Sequence, residues 1–118
     1  MFDTRKALQE CRRVLVEGGA MIFTAPFFID LEDTVARGYI DAHGTLVEVL
    51  PPEYHGDGLN SRGVYTFYNF GWSLFDMMRG IFARVQIGLL YDPVQGFVCA
   101  DSVAGPWNMP PIVFRAFR

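Results

Sequence analysis

The sequence contains only two cysteines, Cys11 and Cys99, and their wide separation gives neither a CxxC motif nor a disulfide framework. No apolar run approaches the roughly 20 residues that a membrane-spanning helix needs. The first residues, Met-Phe-Asp-Thr-Arg-Lys, lack the apolar core of a secretory signal. We therefore expect a cytoplasmic protein with free thiols and no contact with a membrane.

The sequence also lacks a block of basic residues. Its 10 Lys and Arg are scattered among 13 Asp and Glu, and the formal net charge is -3. Nucleic-acid binding depends on clustered positive charge, so this distribution excludes it as the expected function. Hydrophobic residues are abundant at 51% of the chain. A chain of this length can bury about two thirds of its unfolded surface, so one domain over 1–118 is expected, with apolar surface left for a partner.

The first 25 residues predict a surface helix followed by a buried strand. Asp3 can cap a helix whose apolar residues fall on one face, and Gly18-Gly19 then ends it. The apolar residues of that face are Ala7, Leu8, Cys11, Val14 and Leu15. Residues 20–25 are apolar without alternation, which is typical of a parallel strand covered on both faces. A crossover helix joins two parallel strands, so we expect a strand before this helix. The sequence shows no such strand ahead of Asp3.

The remaining pattern is less regular. We predict a helical turn over 30–36, a hairpin with arms at 39–41 and 45–49, a loop over 51–58 and a short strand over 64–68. A second amphipathic helix over about 71–82 and a strand over 84–91 follow, and a long connection over 92–109 leads to a closing strand at 112–117. We interpret 27–70 as an inserted, lid-like region between the buried strand and the second helix.

The segment from Ala7 to Thr24 carries a resemblance to a known family. Its residues E-C-R-R-V-L-V-E-G-G, followed by the apolar A-M-I-F-T, are similar to the E-x-x-R-V-L-x-P-G-G motif that enters the fifth strand of class I S-adenosylmethionine-dependent methyltransferases. Glu17 stands where the family usually has proline. The loop 51–57, the segment 70–72 and the last two strands resemble the insertion, the following helix, the sixth strand and the antiparallel seventh strand of a bacterial, type 11-like subgroup.

The resemblance implies an α/β fold, as a partial Rossmann-like methyltransferase domain. It would contain the last three strands, a β-hairpin insertion and two main helices, and would lack the N-terminal half that binds the cofactor. In the family, S-adenosylmethionine is held by a glycine-rich turn between a strand and a helix. Gly56 and Gly58 have no such setting, so we expect that the chain alone does not bind S-adenosylmethionine and is inactive.

The densest polar cluster is His55 with Glu53, Tyr54 and Asp57, in the loop that would cover the substrate side of the sheet. Histidine suits a general base near neutral pH, and a hydroxyl or amine acceptor must lose a proton around methyl transfer. The alternative is that His55 and Asp57 only hydrogen-bond the backbone of their own loop. The spacing of His43 and His55 matches no metal-site pattern, so no metal is expected.

Substrate-binding candidates also come from the end of the buried strand and from the nearby aromatic residues. Open α/β sheets bind ligands beyond the carboxyl ends of their strands, which points to Thr24-Ala25-Pro26. Phe27 follows directly and belongs to the aromatic residues around the loop. Tyr68 and Phe70 belong to an aromatic concentration that can line an apolar pocket. Together with Glu53, Tyr54 and Asp57, they form the predicted site for a small-molecule substrate, although aromatic residues more often belong to a core.

Three functional hypotheses remain open. The first is the substrate-side half of a methyltransferase, which would need a complementary N-terminal half. The second is a non-catalytic assembly or binding module that pairs with itself as a dimer, or with a complementary half, through the exposed edge of strand 20–25. The third is a complete enzyme, which the missing glycine motif disfavours. The methyl acceptor is not identified by any motif.

Overall fold

The computed structural model describes residues 3–89, 92, 94–96 and 112–118. The elements are α1 (Thr4–Val14), β1 (Ala20–Phe23), β2 (Val35–Ala36), β3 (Gly38–Ile40), β4 (Leu46–Glu48), β5 (Tyr54–Asp57), β6 (Asn60–Tyr65), β7 (Tyr68–Asn69), α2 (Ser73–Arg79), β8 (Arg84–Leu89) and β9 (Ile112–Phe117). The protein is a mixed α/β structure with small antiparallel sheets. Neither of these helices is long and apolar enough to cross a membrane. Most of the predicted connection 92–109, with Cys99, lies outside the described residues.

Helix α1 forms as its capping residue predicts. The Oδ1 atom of Asp3 accepts a hydrogen bond from the backbone N–H of Lys6 at 2.9 Å, which satisfies one of the donors that a helix start leaves free. Arg12 and Arg13 lie in the last turn, where positive charge favours the negative end of the helix dipole. The helix buries Leu8 and ends at Val14, before Gly18, whose φ of 73° places it in the left-handed region. The predicted surface helix is confirmed.

The largest sheet has the strand order β1-β9-β8. Strand β9 runs antiparallel to both neighbours, with Phe114 opposite Phe23 on one side and Ile87 on the other. Strands β1 and β8 are therefore parallel to each other. The sequence predicted a parallel neighbour for β1, whereas the neighbour that the structure describes is antiparallel. The predicted strands at the end of the chain are confirmed over 84–89 and 112–117.

The sheet packs its hydrophobic face against both helices. Ile112, Phe114 and Ala116 alternate along β9 and are all buried, because successive side chains of a strand point to opposite faces. Leu8 of α1, with Leu74 and Met78 of α2, covers them in one hydrophobic cluster. The prediction that β1 is covered on both faces is wrong for the described residues. Ile22 points away from this core and its exposed fraction is 66%.

The opposite face of the sheet carries charge over an aromatic ring. The guanidinium carbons of Arg84 and Arg115 lie 3.9 and 4.6 Å from the ring centroid of Phe117. Such cation–π contacts stabilise a partly exposed ring in water. This face therefore differs in chemistry from the apolar face that the helices cover.

The region between β1 and α2 consists of three short antiparallel pairs, β2-β7, β3-β4 and β5-β6. The β3-β4 hairpin confirms the predicted arms, and Asp41 Oδ1 closes its turn by accepting from the N–H groups of His43 and Thr45 at 2.8 and 2.9 Å. The helical turn predicted over 30–36 is wrong. Val35 and Ala36 form β2 instead, because their backbone pairs with Asn69 and Tyr68.

The loop predicted over 51–58 is also wrong in its second half. Tyr54–Asp57 forms β5, which pairs with β6 around a tight turn. The short strand predicted over 64–68 becomes the end of β6 and the separate strand β7. These residues are rich in glycine and polar groups, and their extended conformation depends on a partner strand rather than on their own propensity.

The two ends of this region meet beside the main sheet. The N–H of Phe70 donates to the carbonyl oxygen of Pro26, and the N–H of Phe28 donates to the carbonyl oxygen of Phe70, both at 2.9 Å. The N–H of Trp72 then donates to Leu31 at 3.0 Å, which fixes the start of α2. Residues 27–70 thus leave and rejoin the sheet at one place, next to the carboxyl end of β1.

Candidate functional site

A cavity of about 440 Å³ lies between α1, the carboxyl end of β1 and the β5-β6 hairpin. Its lining is mostly apolar, as is usual for small-molecule sites. Open α/β sheets place their ligands beyond the carboxyl ends of strands, and this pocket has that position relative to β1. The lining residues are Thr4, Ala7, Leu8, Cys11, Met21, Phe23, Thr24, Ala25, Pro26, His55, Tyr65, Thr66, Phe67, Tyr68, Phe70 and Leu74.

Four of the residues predicted from the sequence meet in this pocket: Pro26, His55, Tyr68 and Phe70. The hydrogen bond from Phe70 to Pro26 explains why two residues far apart in the chain share one wall. His55 reaches the pocket from β5. The predicted association of this histidine with the aromatic segment at the end of β1 is therefore a feature of the structure.

Other predicted residues lie elsewhere. Phe27 has an exposed fraction of 1% and packs edge-on against Trp72 and Phe114, both at 5.3 Å between ring centroids, so it is a core residue. Tyr54 has an exposed fraction of 56% and makes an edge contact with Tyr65. Neither side chain lines the pocket. Asp57 ends β5, and its side chain lies outside the described part of the structure.

Glu53 has a structural partner rather than a place in the pocket. Its Oε1 atom lies 2.9 Å from Nη1 of Arg37, and both side chains are largely buried. Oε2 of Glu53 accepts from Nδ2 of Asn69 at 3.4 Å, and Nη2 of Arg37 donates to the carbonyl oxygen of Pro51. Burial of an ion pair requires such additional hydrogen bonds to offset the loss of hydration. This network ties together the junction between β2 and β3, the segment before β5 and strand β7.

Tyr65 joins the same network from the pocket wall. Its hydroxyl donates to the carbonyl oxygen of Arg37 at 3.1 Å. Desolvation and the Glu48 carboxylate raise the pKa of Tyr65 above its ordinary value, against an opposing effect of the Arg37 guanidinium. The hydroxyl consequently stays protonated at neutral pH and keeps its role as a donor.

Two polar atoms at the pocket are buried without a hydrogen-bond partner among the described residues. They are Nε2 of His55 and Oγ1 of Thr66. Thr66 has an exposed fraction of only 4%. Buried polar groups in native structures are nearly always hydrogen-bonded, so an unpaired pair at a cavity indicates a place for a ligand group or an ordered water.

The β5-β6 hairpin and the residue that follows it bring these two side chains to one pocket. His55 is paired with Val64, and the N–H of Thr66 donates to the carbonyl oxygen of Glu53 at 2.8 Å. Thr66 directly follows the last residue of β6, and Thr66 and His55 both line the pocket. Gly63 allows this close pairing, because its φ is 74° and an added Cβ would clash with the carbonyl oxygen of His55.

Sequence reasoning missed Thr66 and the wall that α1 contributes. The sequence identifies Ala7, Leu8 and Cys11 as members of one apolar helix face. Such a face predicts packing against a sheet, but it does not show which of its residues lie beside a cavity. Ala7 and Cys11 have small side chains, and this is the sequence signal that a cavity remains beside the helix. Cys11 is a free, half-buried thiol. A single threonine between aromatic residues forms no motif, so Thr66 carried no such signal.

The described residues do not supply a site for S-adenosylmethionine of the kind that the resemblance implies. Gly56 and Gly58 lie within the β5-β6 hairpin, where the turn leads into a second strand and not into a helix. Helix N-termini that bind nucleotides require the strand-turn-helix arrangement. The described side chains also contain no group of three His, Cys, Asp or Glu residues that could hold a metal ion.

The chain was compared with protein-family models, with curated proteins and with solved structures, and nothing matched in any of the three comparisons.

Proposed function

We propose that this chain is the acceptor-binding half of a class I S-adenosylmethionine-dependent methyltransferase. The observation that carries the proposal is an apolar pocket beyond the carboxyl end of β1, which is the strand that follows the helix-Gly-Gly motif. The last strand, antiparallel to two strands that are themselves parallel, supports it, because the resembled enzymes end in an antiparallel seventh strand.

In this proposal, the chain's own residues bind and orient a small acceptor molecule. The aromatic wall excludes water from the acceptor, and Thr66 holds its polar group by a hydrogen bond. His55 receives the proton of that group at Nε2, which is buried at the pocket and has no other described partner. The cofactor would be held by a complementary half, and the described residues support no step that involves it.

The proposal predicts that the coding region upstream of residue 1 contains a strand–G-x-G-x-G–helix segment, either in the same frame or as a separate partner. Mapping the transcript tests this directly. A chain extended to include the segment is expected to bind S-adenosylmethionine in calorimetric titration, because the glycine-rich turn would complete the site. A transcript without any such segment in its vicinity would argue against the methyltransferase assignment.

The 118-residue chain alone is the matched control, and it is expected to release no measurable heat on titration with S-adenosylmethionine. The physical reason is that Gly56 and Gly58 lie in the β5-β6 hairpin, where the turn leads into a strand and not into a helix. Micromolar binding by the short chain would show that it is complete in itself, and would overturn the proposal that it is half of a site.

A second candidate function is a non-catalytic module that assembles through β1. Among the described strands, β1 lies at the edge of the main sheet, and Ile22 exposes 66% of its surface there. An unpaired strand edge with apolar side chains can pair with another strand. This candidate does not require a cofactor or a pocket.

We expect the apparent mass of the chain to rise towards a dimer with increasing concentration, measured by size exclusion with light scattering. Ile22→Lys should abolish this rise, because a charged residue on an edge strand opposes pairing. Ile29→Lys is the matched control, since Ile29 is also exposed but lies in a turn outside the sheet. A wild-type chain that stays monomeric at every concentration would exclude self-pairing.

A further inference from the structure

We infer that the pocket beside β1 binds a neutral aromatic molecule with a hydroxyl group, a phenol in chemical class, whose oxygen lies between Nε2 of His55 and Oγ1 of Thr66. The inference deepens the proposed function, on which it rests, by naming the class of acceptor. Its binding test does not require methyl transfer, so the two can fail separately.

The hydroxyl group of the proposed ligand is inferred from the hydrogen bonds that the pocket atoms can still make. Nε2 of His55 and Oγ1 of Thr66 are buried at the pocket without described partners. A hydroxyl oxygen carries one donor and two acceptor positions. A single ligand hydroxyl can therefore donate to the imidazole nitrogen and accept from the threonine hydroxyl, which satisfies both protein atoms at once.

The charge of the ligand follows from the lining. Among the described side chains, no Lys or Arg lines the pocket, and Arg37 of the neighbouring network is already paired with Glu53. Burying a carboxylate or phosphate without a cation is strongly unfavourable. An ammonium group would also find no carboxylate on the part of the lining that the structure describes, which contains no Asp or Glu. The complementary ligand is consequently neutral.

The aromatic ring of the proposed ligand is inferred from the size of the pocket and from the side chains that line it. Phe23, Tyr65, Phe67 and Phe70 contribute rings to the lining, and the volume of about 440 Å³ lies within the range of small-molecule sites. Aromatic rings favour offset or edge contacts with one another beyond the effect of buried area. A phenol also loses its proton more readily than an aliphatic alcohol, since its pKa is near that of tyrosine, about 10.

The test uses 2-naphthol and its methyl ether, 2-methoxynaphthalene, as probes in ¹⁵N–¹H NMR titrations of the full chain. We expect 2-naphthol to shift the amide signals of Thr24, Thr66 and Phe70, which belong to the pocket. The ether has the same rings but cannot donate a hydrogen bond, so its affinity should be lower by about fivefold, the worth of one hydrogen bond.

Two variants test the named atoms. Thr66→Val removes the hydroxyl with little change of shape, and it is expected to weaken 2-naphthol binding about fivefold. The same variant should leave the melting temperature unchanged or higher, because it also removes an unpaired buried hydroxyl. A residue with only a structural role would show the opposite pattern. His55→Leu should also weaken binding, whereas His43→Leu, at an exposed position in the β3-β4 turn, should not.

Each outcome is decisive. If both probes bind the pocket equally well, or if Thr66→Val and His55→Leu bind 2-naphthol like the wild type, the hydroxyl inference and the roles of Thr66 and His55 in acceptor binding are overturned. The transcript then still decides the methyltransferase assignment. Equal binding is the result expected if ordered water, and not a ligand hydroxyl, occupies the place between the two polar atoms. If neither probe shifts the pocket amides, the aromatic class is overturned, and the transcript still decides the methyltransferase assignment.

Discussion

Phe114→Ala is expected to lower the free energy of unfolding by about 3–5 kcal/mol, the usual cost of removing a fully buried aromatic ring from a core. The ring of Phe114 is completely buried in the middle strand of the sheet. It stacks on Phe23 and meets Phe27 edge-on, each at 5.3 Å between ring centroids. The cavity left by alanine would thus remove support from β1 and from the start of the inserted region together.

Urea unfolding followed by circular dichroism measures this loss. Phe117→Ala is the matched control in the same strand, because Phe117 lies on the opposite face and is only half-buried. Its expected cost is clearly smaller. If Phe114→Ala does not fold, Phe114→Leu provides a milder substitution with an expected loss of about 1–2 kcal/mol. Equal effects of the two alanine substitutions would contradict the assignment of the core to one face of the sheet.

Arg37→Met is expected to destabilise the protein by about 3 kcal/mol, since it leaves the Glu53 carboxylate buried without its partner. The side chains of this ion pair have exposed fractions of 11% and 23%. The double variant Arg37→Met with Glu53→Leu should recover most of the loss, because replacing both charges by apolar groups removes the uncompensated ion. Chemical denaturation of the two single variants and the double variant gives the coupling energy.

The exposed ion pair between Arg13 and Glu10 is the control for this cycle. Its atoms lie 2.7 Å apart, but its side chains are 69% and 55% exposed. Surface pairs of this kind contribute about 0–1 kcal/mol. A loss for Arg37→Met as small as that for Arg13→Met would mean that the Arg37-Glu53 network does not hold the inserted region together.

The elements that sequence reasoning predicted correctly depend on local signals. The Asp3 cap and the apolar stripe of α1 are contained within one helix, and the closing strand over 112–117 is a short apolar run that Arg115 alone interrupts. The β5 strand was missed because the residues before and within it, Pro-Pro-Glu-Tyr-His-Gly-Asp-Gly, favour turns. Its pairing with β6 supplies the backbone hydrogen bonds that local propensity does not indicate.

The candidate site was predictable in part for the same reason. The end of a buried strand and a nearby histidine are visible in the sequence, and Pro26 and His55 do line the pocket. The neighbouring Phe27 turns into the core, because a change of one residue along an extended chain reverses the direction of the side chain. Thr66 became visible only through its burial and its unpaired hydroxyl, which are properties of the folded chain.

The hydrogen bond of 2.9 Å between Phe70 and Pro26 has a consequence for how this protein can change during evolution. Because both ends of the segment 27–70 meet at that bond, we expect the two hairpins within it, over residues 38–65, to tolerate changes in length while the sheet and the helices keep their positions. Closing a loop costs only a slowly growing entropy as its length increases. Changes in this segment can therefore alter which ligand the pocket prefers, while the sheet and the two helices stay the same.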